Sequence, residues 1–128
     1  MFSHITIGAN DIAATKTFYD ATLAVLGVGE GQIDERERLI YQHDGGRLII
    51  TRPLDGKSAS HGNGTTIGFL ANSPEAVDAW HAAGLASGGV TCEDPPGIRQ
   101  GTGGRTMYLA YLRDPAGNKL CGFHKVSG

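Results

Sequence analysis

The chain repeats its own pattern of elements, and no other feature limits its fold as tightly. Ala9-Asn10 returns as Ala71-Asn72, an offset of 71 − 9 = 62 residues. At that offset Phe18 falls on Trp80, Tyr19 on His81, Gly27 on Gly89 and His4 on Thr66. The ends of the two halves match as well. GGRLII (45–50) aligns with GNKLCG (117–122) at an offset of 117 − 45 = 72, which places Ile49 on Cys121. The ten extra residues fall in the longer loops of the second half. A recurring pattern at a fixed spacing marks a duplicated structural unit.

Each half reads as β-α-β-β-β. Residues 2–9 alternate in a period of two, with Ile5, Ile7 and Ala9 on one face and Phe2, His4 and Thr6 on the other. Asn10 or Asp11 caps a helix whose apolar positions recur at helical spacing from Ile12 to Leu26, with Gly27 as its stop. Leu39 to Gln42 and 47–53 form strands joined by the turn His43-Asp44-Gly45-Gly46. Thr65 to Ala71 restarts the pattern. Ser73-Pro74-Glu75 opens a second helix that stops at Gly88-Gly89. Val90 to Glu93 is a strand broken by Pro95-Pro96-Gly97. IRQGTGGR (98–105) follows as a loop, then strands at Met107 to Leu112 and Lys119 to His124 flank the turn Asp114 to Asn118. The expected class is α+β: two tandem βαβββ modules forming an open, mixed, barrel-like cleft with helices outside.

The 128 residues suit a single domain spanning 1–128, with module one at about 1–56, a polar glycine-rich linker at about 54–64 and module two at about 65–128. A net charge of −2 offers no electrostatic pull toward nucleic acid, and no apolar run approaches the roughly 20 residues of a membrane span. The opening, MFSHITIGAND, has no basic region and enters a strand pattern at once, which argues against a signal peptide. Cys92 and Cys121 are far from any CxxC spacing and read as reduced thiols in a cytoplasmic protein.

The two modules, the linker RPLDGKSASHGNGTT and the closing stretch RDPAGNKL resemble the vicinal oxygen chelate superfamily. That superfamily includes glyoxalase I, extradiol dioxygenases, and bleomycin and fosfomycin resistance proteins. RDPAGNKL is similar to the family's "DPDGNKIE" ending, and the resemblance covers essentially the whole chain. It implies a cleft between paired half-barrels and a divalent ion held by His, Gln or Glu from the first and last strands of each module. Such an ion binds adjacent substrate oxygens and stabilises the charge that develops on them. It also implies a homodimer, because members often pair modules across chains.

Carried onto this sequence, the four ligand positions implied by the resemblance are His4, Ile49, Thr66 and Cys121. Only His4 is a usual ligand. Thr66 stands where "GNGTH" would place a histidine, and Cys121 where "NKIE" would place a glutamate. The expected cofactor is therefore none or a weakly held divalent metal, with His4 as the remaining metal candidate. His4 also reads as a cleft-lining histidine. Cys121 is open to three readings: a small buried hydrophobe, a thiolate activated by His4, or a soft Cys/His metal ligand with His61 recruited. Arg105 and Tyr108 belong to a basic segment that could close over the cleft, and Lys119 shares a strand face with Cys121. His4, Thr66, Arg105, Tyr108, Lys119 and Cys121 are thus the candidate ligand-binding residues, with His4 and Cys121 as catalytic candidates.

Three function classes remain. The first is a small-molecule binder without the usual metal, like the antibiotic-sequestering members. The second is a lyase or dioxygenase with an atypical metal site or a Cys121/His4 pair. The third is a non-catalytic partner module. The eroded ligand set favours the first. Nucleic acid and membrane partners are not expected.

Overall fold

A computed structural model describes residues Met1–Gly128. The element order is β1 (His4–Gly8), α1 (Ile12–Ala24), β2 (Gln32–Ile33), β3 (Leu39–His43), β4 (Gly46–Thr51), then β5 (Ile67–Leu70), α2 (Pro74–Ala86), β6 (Val90–Gln100), β7 (Thr106–Arg113) and β8 (Lys119–Ser127). The strands form two four-stranded mixed sheets, ordered β1-β4-β3-β2 and β5-β8-β7-β6. The first strand of each module pairs in parallel with the last, and the remaining pairs are antiparallel. This is the tandem βαβββ architecture expected from the repeat. The two sheets are not closed into a barrel.

The pseudo-symmetry is visible in the strand register. Thr6 pairs with Ile49 and Gly68 pairs with Cys121. The offsets between these pairs are 68 − 6 = 62 and 121 − 49 = 72, those read from the letters. Phe18 and Trp80, also related by the repeat, are both fully buried.

The helices form where their ends are signalled. Asp11 caps α1 by accepting from the Ala14 amide at 3.0 Å, and Ser73 caps α2 by accepting from the Ala76 amide at 3.1 Å. One continuous core joins the modules, with Phe18, Tyr19, Leu39 and Ile50 from the first and Trp80, Leu112 and Leu120 from the second. Removing each such large side chain from water stabilises the fold by roughly 1.5–3 kcal/mol. Gly89 lets α1 approach module two closely: a Cβ there would lie 2.5 Å from Cε2 of Phe18.

Several boundaries differ from the sequence reading. The strand at 90–93 does not stop at the prolines. β6 continues to Gln100 through a register shift between Cys92 and Gly97, so 98–100 is strand and not loop. β6 is an edge strand, and there a bulge can absorb Pro95 and Pro96, which have no N–H to give to a ladder. A single 3-10 turn (Thr102–Gly104) then returns the chain to β7, so the anticipated lid is a tight hairpin end. β2, two residues long within a polar segment, carried no periodic signal. β5 begins at Ile67, which leaves Thr65 and Thr66 outside it. The turn between β3 and β4 is as expected: Asp44 and Gly45 have φ of 47° and 81°, and His43 pairs with Gly46. No helix is long and apolar enough to cross a membrane.

Candidate functional site

Each sheet has one face turned toward the helices and one turned away. In module two, α2 identifies the helix side: a Cβ on Gly122 would meet the Trp80 ring at 2.6 Å, and Leu112 fills the space beside Gly84. Leu120, Gly122, Ala110 and Leu112 therefore face α2. By strand alternation Lys119, Cys121, Leu109 and Tyr111 face away from it. Ile49, Leu109 and Cys121 are 8%, 5% and 6% exposed yet lie outside the main core cluster. They are a second set of buried apolar residues, on the far faces of the sheets.

Across sheet two the far face carries a row set by the register: Gly68, Cys121, Tyr111 and Cys92. A Cβ on Gly68 would meet nothing within 4 Å, so the row opens onto free space beside the thiol. Lys119 closes the other side. Its ammonium pairs with the Glu93 carboxylate and lies 4.9 Å from the centroid of the Tyr111 ring. Arg99 folds over the β6 bulge, donating to the Pro95 carbonyl at 2.7 Å and the Ile98 carbonyl at 3.2 Å.

The electrostatics of this row oppose a thiolate. Burial, then the negative charge of Glu93, pushes the Cys121 thiol up to about 11, while Tyr111, Lys119 and Arg99 pull weakly the other way. The thiol donates to the Gly122 carbonyl at 3.6 Å. Burial also raises the Tyr111 phenol. The hydrogen bond that Lys119 donates to the Glu93 carboxylate is the first cause raising its ammonium, which stays charged. Both cysteines are free.

The candidate residues separate in space. Lys119 and Cys121 are together. Tyr108 is on the opposite face: its hydroxyl donates to Asp78 of α2 at 2.7 Å, and its ring packs on the core. Arg105 is exposed at the end of the 3-10 turn, and Thr66 is exposed just before β5. His4 is exposed at the start of β1, with Ser3 Oγ 2.8 Å from its Nδ1. No group of three or more His, Cys, Asp or Glu side chains is arranged to hold a metal ion. At the four positions that the resemblance aligns with metal ligands, the donor set is one imidazole, one hydrocarbon, one hydroxyl outside its strand and one protonated thiol. Within one chain these residues do not fit a divalent cation, which asks for three or more neutral imidazole, carboxylate or thiolate donors.

Neither Tyr111 nor Glu93 is among the site residues that the sequence suggests. Tyr111 was within reach of the sequence. The turn Asp114 to Asn118 sets Arg113 opposite Lys119, and two residues back it sets Tyr111 opposite Cys121.

A cavity of about 910 Å³ lies between the modules, bounded by the end of α1, the β3–β4 turn and β5, and it meets the row at Gly68. None of the six candidate ligand-binding residues lines it.

Comparison with known proteins agrees with this architecture. A family model described as Glyoxalase/Bleomycin resistance protein/Dioxygenase superfamily matches residues 1–121. The chain is similar to a glyoxalase/bleomycin resistance protein from Albidiferax ferrireducens T118, with 54% identity, a TM-score of 0.92, and coverage of 96% of this chain and 98% of that one. It shares its fold with a glyoxalase/bleomycin resistance protein/dioxygenase family enzyme from Burkholderia phytofirmans PsJN, at 21% identity and TM-score 0.72, covering 95% and 96% of the two chains. The same holds for lactoylglutathione lyase from Agrobacterium tumefaciens, at 20% identity and TM-score 0.64, covering 97% and 92%. No curated protein matches the chain. The duplicated βαβββ architecture and the match over residues 1–121 lead to one conclusion: the chain belongs to the glyoxalase/bleomycin resistance protein/dioxygenase superfamily.

Proposed function

We propose that this chain binds a small organic molecule on the far face of its second sheet, without the divalent-metal triad of its family. One observation carries the reading. The position aligned with the family's last-strand carboxylate holds Cys121, a buried thiol held protonated in a half-open row beside Tyr111 and the Lys119–Glu93 pair. Such a row offers an apolar floor, an aromatic ring and a fixed ion pair, groups that orient a ligand rather than activate one. The open space at Gly68 gives the ligand room to lie against the thiol. His4, Thr66 and Arg105 enter the proposal as contacts contributed by the rim. Tyr108, hydrogen-bonded to α2, supports the sheet from behind.

The proposal includes a homodimer acting in the cytoplasm. β1 and β5 are both sheet edges without a second neighbour, and Leu70 on β5 is 78% exposed. Unprotected edges of this kind favour pairing with another chain.

Ligand-observed NMR with a library of aromatic fragments tests the binding. Hits are expected that persist in excess EDTA and are lost in Lys119→Ala. Hits that appear only after Mn²⁺ or Zn²⁺ is added, or an absence of hits, would contradict the reading.

A further inference from the structure

The cavity between the modules is walled by apolar side chains: Leu26 and Val28 after α1, Leu48 of β4, and Ile67 and Phe69 of β5. It exists because α1 ends early. Gly27, at φ 86°, turns the chain back so that the Val28 amide donates to the Leu23 carbonyl at 3.0 Å, and residues 25–28 form one wall instead of another helical turn. Its volume of about 910 Å³ lies within the roughly 300–1,000 Å³ typical of small-molecule sites.

The polar groups at this cavity are unbalanced in charge. Arg47 and Lys125 both line it, and neither forms an ion pair. Asp44 is the one acid in the lining, and it sits 3.3 Å from His43, its imidazole partner. His124 lies within hydrogen-bond reach of the Ala71 carbonyl at 3.0 Å. A carbonyl only accepts, so Nδ1 carries the proton there. Apolar walls under two unpaired cations fit one class of ligand.

We propose that this cavity, which meets the thiol row only at Gly68 of β5, is a second binding site, for an amphipathic monoanion: an alkyl or aryl carboxylate. The hydrocarbon part packs on Leu26, Val28, Leu48 and Phe69. The carboxylate stays at the rim, where Arg47 and Lys125 supply the charge-assisted contacts.

Calorimetric titration with octanoate and with 1-octanol tests this, with sedimentation velocity run on the same samples. Octanoate is expected to saturate at one per chain and to bind at least about tenfold more tightly than the alcohol. The Arg47→Glu/Lys125→Glu variant is expected to lose at least about tenfold in octanoate affinity while its affinity for 1-octanol is unchanged. Both positions are solvent-exposed, so the variant should fold. Three results overturn the proposal: no saturable binding, equal binding of acid and alcohol, or a dimer that dissociates in the variant without ever binding octanoate. The last would assign the cavity to a second copy of the chain.

Discussion

Asp114→Ala is expected to lower the stability of the protein by about 3–5 kcal/mol, measured by urea unfolding. Asp114 is only 3% exposed, yet it organises the junction of the two modules. Oδ1 accepts from the amides of Ala116 and Asn118, both at 2.9 Å. Oδ2 accepts from the Tyr19 hydroxyl at 2.6 Å and from Asn118 Nδ2 at 3.0 Å. Asn118 Nδ2 also donates to the Gly8 carbonyl at 3.0 Å, at the end of β1. One carboxylate thus ties α1, β1 and the β7–β8 turn together. Removing it leaves the buried Tyr19 hydroxyl and the Ala116 and Asn118 amides without partners, while Asn118 Nδ2 keeps the Gly8 carbonyl, and each orphan costs about 1–3 kcal/mol. Burial, then the Asp114 charge, already holds the Tyr19 phenol well above its ordinary pKa, so it acts only as a donor here. Tyr19→Phe removes the orphan together with its bond and is expected to cost less. A double-mutant cycle should return a coupling of about 1–3 kcal/mol. A loss below about 1 kcal/mol for Asp114→Ala would show that the network is not a structural tie.

The second large effect is expected at Trp80. The indole is fully buried on α2 and packs closely against β8 at Gly122, where a Cβ would lie 2.6 Å from the ring. Trp80→Ala empties that space and is expected to cost about 3–5 kcal/mol, with an unchanged m-value. Trp80→Phe should cost clearly less. It keeps an aromatic ring, and it deletes Nε1, a buried donor that has no hydrogen-bond partner. Equal losses for the two variants would mean that the indole nitrogen is satisfied.

These two sites show what the letters could and could not convey. Phe18 and Trp80 were matched through the repeat because helical periodicity and glycine stops leave a pattern that survives divergence. The turn DPAGN was recognised as a family ending. Its physical role, a buried carboxylate bridging 95 residues of sequence to Tyr19, has no local signature. β6 was cut short because two prolines normally end a strand. Only its place at the sheet edge, a tertiary fact, allows the bulge. At the site, the letters give threonine at 66 and cysteine at 121, the positions that the resemblance aligns with an imidazole and a carboxylate. Tyr108, which the sequence places in a segment closing over the cleft, lies in β7 with its hydroxyl on Asp78 of α2, three positions before Tyr111 and so on the opposite face. In a period-two strand an odd step moves a side chain through the sheet, and the residue beside Cys121 is Tyr111. The cavity between the modules follows from how two halves pack, and no stretch of sequence marks it.

The central claim is that the family's metal chemistry has been replaced by a metal-independent binding row. Elemental analysis of protein purified without chelator, alongside His4→Ala, tests it most directly. The account predicts well under one equivalent of Fe, Mn, Ni or Zn per chain, unchanged in His4→Ala. A stoichiometric metal in the wild type that is lost in His4→Ala would contradict it.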